Sequence, residues 1–123
     1  MASKIQFKYY TGFGYNSSSN PYSLTFNFAI TLLYSLGTYG ISNAVGRQQM
    51  YTAEINVSTM TTSYSKANAV GLQTGTPSNS NGGAYAKKSS DNKTVYWYTD
   101  TNEYYRAEAH SSNGVLYYFL GLS

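Results

Sequence analysis

A chain of 123 residues with only 11% charged residues, a net charge of +3, one histidine and no cysteine has room for a single domain and offers little to catalysis or to thiolate–metal chemistry. Its eight Lys and Arg are dispersed apart from Lys87-Lys88, which excludes the clustered basic footprint of a nucleic-acid binder. Fifteen tyrosines, five phenylalanines and one tryptophan dominate instead, with Ser, Thr, Asn and Gly supplying the polarity, and this is the composition of an all-β domain whose surfaces bind.

At the start, Met1-Ala2-Ser3-Lys4 runs straight into an alternating segment, with no basic stretch followed by an apolar run, so export through a signal peptide is not expected. Ile5, Phe7 and Tyr9 alternate with Lys4, Gln6 and Lys8, which predicts a first strand with the apolar trio buried. Residues Thr11 to Pro21 hold Gly12, Gly14, three serines and Asn20-Pro21 and read as a loop. From Leu24 the alternation strengthens: Leu24, Phe26, Phe28, Ile30 and Leu32 share one face of a second predicted strand. The stretch from Leu24 to Leu36 is broken by polar residues and falls short of the roughly 20 apolar residues of a membrane helix, so no membrane insertion is expected.

A third strand is predicted around Ala53, Ile55 and Val57, followed by the loop Thr74 to Gly83. Lys93 to Thr99 and Val115 to Leu122 carry β-branched and aromatic residues on both alternating faces and read as strands buried on much of both sides. Asp91-Asn92 and Asn113-Gly114 are turn signals ahead of those two strands, and only Tyr104 to His110 could make a turn or two of helix. The pattern predicts one domain over 1–123, a β-sandwich or jelly-roll-like fold of about six to eight strands.

Little in the chain points to reaction chemistry. His110 stands alone before a turn, no serine sits in a G-x-S-x-G elbow, and the five carboxylates Glu54, Asp91, Asp100, Glu103 and Glu108 form no marked pair. Asp100 to Glu103 is a faint echo of a calcium loop, and Gly12-Phe13-Gly14 opens no helix that could cradle a phosphate. No catalytic residue, metal or cofactor is therefore expected. The rings carry more. On the Trp97 strand, Val95 and Trp97 face the core while Tyr96 and Tyr98 face the other way, either to pack against a neighbouring sheet or chain or to stack on sugar rings. Rings beside Asn-rich loops make Tyr10, Phe13, Tyr15, Tyr104, Tyr105 and Arg106 the candidate ligand contacts, in preference to the ringless loop Thr74 to Gly83. A terminal strand apolar on both faces further predicts a homo-oligomer.

Residues 9 to 35, YYTGFGYNSSSNPYSLTFNFAITLLYS, with their Gly-rich aromatic opening, Asn-Pro turn and Leu-Thr-Phe-x-Phe strand, resemble a segment of the tail-fibre and receptor-binding proteins of tailed bacteriophages and Gram-positive prophages. Residues 87 to 123 resemble the ending of such proteins, with an Asp-Asn-Lys-Thr turn, a Tyr-Trp-Tyr strand, an Asn-Gly turn and a Tyr-Tyr terminal strand. The resemblance implies a non-enzymatic tip, knob or decoration subunit, homo-oligomeric with the trimer favoured. It also implies assembly in the host cytoplasm, contacts with other virion proteins, a place in the virion, and attachment to a host cell-surface glycan. A free-standing carbohydrate-binding lectin is the alternative, and a small glycan-degrading enzyme a third.

Overall fold

Nine strands form among residues 3–13, 17–35, 39–42, 47–50, 53–65, 68, 85–98 and 116–123, which are those the computed structural model describes. In chain order they are β1 (Ile5–Thr11), β2 (Tyr22–Thr25), β3 (Leu32–Ser35), β4 (Tyr39–Ser42), β5 (Arg47–Met50), β6 (Ala53–Asn56), β7 (Tyr85–Lys88), β8 (Thr94–Tyr98) and β9 (Leu116–Leu122), with a 3-10 turn at Val57–Thr59 after β6. Every pairing is antiparallel, and four pairs are nested: β1 with β9, β2 with β8, β3 with β6, β4 with β5. A long hairpin wrapped on itself in this way has the connectivity of a jelly roll. The expected all-β sandwich is thus present, with β7 added beside β8.

The strands form a four-stranded sheet in the order β1-β9-β3-β6, a three-stranded sheet in the order β2-β8-β7, and the two-stranded pair β4-β5. Between the larger two lies one core, in which Tyr22, Leu24, Val95, Trp97 and Ala86 from the smaller sheet meet Leu33, Ile55, Tyr117 and Phe119 from the larger. Val95 and Trp97 point inward, as the alternation predicts. Phe26 lies directly over Gly121, where a β-carbon would overlap its ring.

Two expectations are corrected. The predicted inward trio of the first strand turns outward: Ile5 is 65%, Phe7 49% and Tyr9 64% exposed. The register sets this, since Tyr10 pairs with Tyr117 and a one-residue slip would turn every side chain of β1 over. Tyr10 takes the core place, its ring 5.1 Å from that of Tyr22, 5.5 Å from Tyr117, 5.6 Å from Phe119 and 5.9 Å from Trp97. Its polar companions lie along the open margin of the sandwich, where Gln6 Oε1 accepts the Asn27 amide at 2.8 Å and Lys4 Nζ lies 5.8 Å from the centre of the Phe28 ring.

The second predicted strand is two. After Thr25 the chain leaves the smaller sheet, passes beside the β7–β8 turn through Phe26 N→Lys93 O and Ile30 N→Asn92 O, both 2.9 Å, and joins the larger sheet at Leu32. Leu24, Phe26 and Ile30 stay buried through the crossing, so the two-residue period continues although the strand does not. Its phase then shifts, and Leu33 and Ser35 are the buried residues of β3.

Candidate ligand-binding face

The outward face of the three-stranded sheet gathers tyrosines. Its geometry begins at the β7–β8 turn, where Asp91 Oδ1 accepts from Ser89 Oγ at 2.6 Å and from the Lys93 amide at 3.0 Å, while Asn92 takes the left-handed conformation with φ 60° that Asn tolerates. The turn fixes a register with Tyr85 opposite Tyr98 and Lys87 opposite Tyr96, all four on the outer side. Ser23 and Thr25 of β2 lie on the same side, across from Tyr96 and Thr94.

Tyr64 joins them from outside the named strands. Its neighbour Ser65 exchanges two backbone hydrogen bonds with Ala86, at 3.0 and 3.2 Å, and the Lys88 amide donates to Thr61 O at 3.1 Å, so the segment runs along the free edge of β7. Asn68, buried, locks that segment: its Nδ2 donates to Thr61 Oγ1 at 2.9 Å and to Ala86 O at 3.2 Å, and its Oδ1 accepts the Thr61 amide at 3.3 Å.

The result is a ring cluster held on strands. Tyr98 stacks on Tyr85 at 5.2 Å between centres and meets Tyr64 edge-on at 4.9 Å. Lys87 Nζ sits 4.7 Å from the Tyr64 ring centre and 5.3 Å from that of Tyr96, within cation–π range of both. All five side chains are half-buried, so each keeps surface toward solvent. Burial first, then the phenols of Tyr98 and Tyr96, raises the Tyr64 hydroxyl above its ordinary pKa. Flat apolar faces, phenolic donors and one ammonium fixed on a sheet can receive a sugar: rings stack on its C–H face while hydroxyls and Lys87 bond its oxygens.

Of the residues named from sequence, Tyr10 is placed in the core. Burial above all, then Tyr117 and Tyr22, pushes its hydroxyl well above the usual phenol value. Phe13 is 45% exposed, stacked at 4.0 Å on the buried Tyr22, whose hydroxyl accepts the Phe13 amide at 2.8 Å. Tyr15, Tyr104, Tyr105 and Arg106 lie outside the described residues, as do His110, the Asn113-Gly114 turn and the loop Thr74 to Gly83. The strand ends from which the two candidate segments spring are nonetheless adjacent in the fold, because Thr11 pairs with Leu116 and Tyr22 pairs with Trp97, next to Tyr98.

Sequence reasoning did not place Tyr64, Tyr85 or Lys87 among the candidate contacts. Tyr85-x-Lys87 before a five-residue turn and an alternating strand was a usable hairpin signal, whereas Tyr64 is brought in by a bridge that no local pattern announces. No family model, curated protein or solved structure matches the chain.

Proposed function

We propose that this chain is a non-enzymatic structural subunit of a phage or prophage particle, a fibre tip, knob or decoration protein, that holds the particle to a glycan on the host surface and works as a homo-oligomer, with a trimer favoured. The observation that carries the reading is the cluster of Tyr64, Tyr85, Tyr96 and Tyr98 around Lys87, solvent-facing and held by strand pairing and by Asn68. Rings fixed in this way lose little freedom when a sugar stacks on them. Jelly-roll connectivity recurs in viral capsid and lectin domains and is compatible with both halves of the proposal. The particle assignment itself rests on the resemblance of residues 9 to 35 and 87 to 123 to fibre proteins.

Binding of the purified chain to host cells and to their extracted surface polysaccharide tests the reading. Tyr96→Ala with Tyr98→Ala is expected to weaken binding by on the order of 1 kcal/mol or more per stacking ring while the fold survives. Full binding by that folded variant removes the proposed site. A lectin acting free of any particle would use the same face, and antibody labelling of purified particles separates the two. Polysaccharide hydrolysis abolished by His110→Ala would instead make the chain a glycan-degrading enzyme.

A further inference from the structure

On the opposite side of the sandwich, the outward face of the four-stranded sheet is apolar where a solvated sheet should be polar. Four of the five large apolar residues that stand exposed among the described residues lie on it: Ile5, Phe7, Tyr9 and Leu116. They are contiguous, because β1 and β9 pair Phe7 with Leu120 and Tyr9 with Tyr118, and the rings of Phe7, Tyr9 and Tyr118 touch at 5.8 to 6.3 Å between centres. Leu120 continues the patch onto β3 through its pairing with Tyr34.

We infer that this face is covered by another copy of the chain. The inference rests on the homo-oligomer reading above and adds the surface that makes it. Area is the first argument. With about 150–250 Å² per large side chain, the exposed fractions of Ile5, Phe7, Tyr9 and Leu116 leave roughly 400 Å² of apolar surface, and the half-buried Tyr118 and Leu120 extend it. That is the size of the largest patch on a typical monomer, which is often functional, and it is about half of the roughly 800 Å² that each partner contributes to a stable complex, the rest of which a polar rim supplies.

Charge is the second argument. A chain with a net charge of +3 repels its own copies, but the cations of β1 lie on the other side: Lys4 and Lys8 alternate with the apolar trio. On the strands that build the face, Glu54 of β6 is the only charged residue directed outward, across from Tyr34 and separated from Phe7 and Tyr9 by the two strands β9 and β3. An apolar surface with no cation on it presents no like charge to repel a second copy.

The test is the solution mass of the full chain at micromolar concentration by sedimentation velocity, with Phe7→Asp and Tyr9→Asp as separate variants. The wild type is expected to be a homo-oligomer, and each aspartate to weaken self-association by about thirtyfold or more, the effect of losing an interface hot spot. Hydroxyl-radical footprinting of the wild type keeps the inference open to refutation if a variant misfolds. Phe7 and Tyr9 are expected to be protected relative to Phe13, which is 45% exposed and off this face. A wild-type monomer overturns both this face and the homo-oligomer. An oligomer indifferent to the aspartates, or one with Phe7 and Tyr9 as reactive as Phe13, overturns this face alone and leaves the oligomer standing. Neither outcome touches glycan binding, which the Tyr96 and Tyr98 variants read separately.

Discussion

At the scale of single residues, two positions decide how the sheets close. Gly121 is on β9 facing inward, paired with Gln6 and Leu33, and the Phe26 ring fills the space that any β-carbon would take. Both groups sit on strands or crossings fixed by hydrogen bonds, so neither gives way easily. Gly121→Ala is expected to destabilise the fold by about 1–3 kcal/mol, an overpacking effect measurable as a lower urea midpoint with an unchanged m-value. Tyr10 is the second. Its folded-state pKa is raised, chiefly by burial, so the folded protein keeps a proton that the unfolded chain releases above about pH 10. Its contribution to stability is complete below that pH and is lost as the pH climbs toward the raised value. Tyr10→Phe should make the alkaline decline of the melting temperature shallower. The slope is the quantity to read, because the variant also removes the hydroxyl that interacts with Trp97, whose buried Nε1 has no hydrogen-bond partner of good geometry among the described residues.

At the scale of elements, the segment carrying Tyr64 is held by one buried side chain. Asn68 satisfies Thr61 and Ala86 at once, and Asn68→Ala leaves those groups to find water inside a partly buried site. A loss of about 1–3 kcal/mol is expected in global or local stability. Hydrogen exchange should show the Ser65 and Ala86 amides, which bond each other's carbonyls, losing protection before those of β8. Strong alternation told most where it met the core. The Trp97 strand was readable because Val95 and Trp97 are large and separated by one residue; the third predicted strand was read the same way from Ile55 and Val57, both buried, although Val57 already belongs to the 3-10 turn after β6. The first strand misled because three apolar residues outnumbered Tyr10, and nothing local reveals that a tyrosine will be chosen for the core over Ile5, Phe7 and Tyr9. Strand β3 was merged with β2, and β4, β5 and β7 went unnamed: each has four residues, and none sits in an alternating apolar run as long as those around Leu24 or Ile55. At the candidate site, Tyr96 and Tyr98 were recognised as outward-facing, but their companions Tyr64, Tyr85 and Lys87 are assembled by pairing partners distant in sequence.

At the scale of the whole molecule, the sandwich has two unlike exteriors, a tyrosine face with a lysine and an apolar face without one, separated by a single shared core. The nested pairing that builds it also dictates when it can form. β9 lies between β1 and β3, inside its sheet, and pairs with β1 residues more than a hundred positions away, as the Lys4 amide bonding Ser123 Oγ at 2.8 Å also does. Until residues 116 to 122 emerge from the ribosome, β1 has no partner and β3 has only β6, while Tyr22, Phe26 and Trp97 lack the wall that covers them. Closure of the larger sheet therefore waits for β9. The loop-closure entropy of the longest-range pairs has to be met before their burial repays it, so this jelly roll belongs with the slow folders of the millisecond-to-second class. Until β9 emerges the nascent chain exposes aromatic strands with no neighbour, the interval in which copies made side by side can associate wrongly.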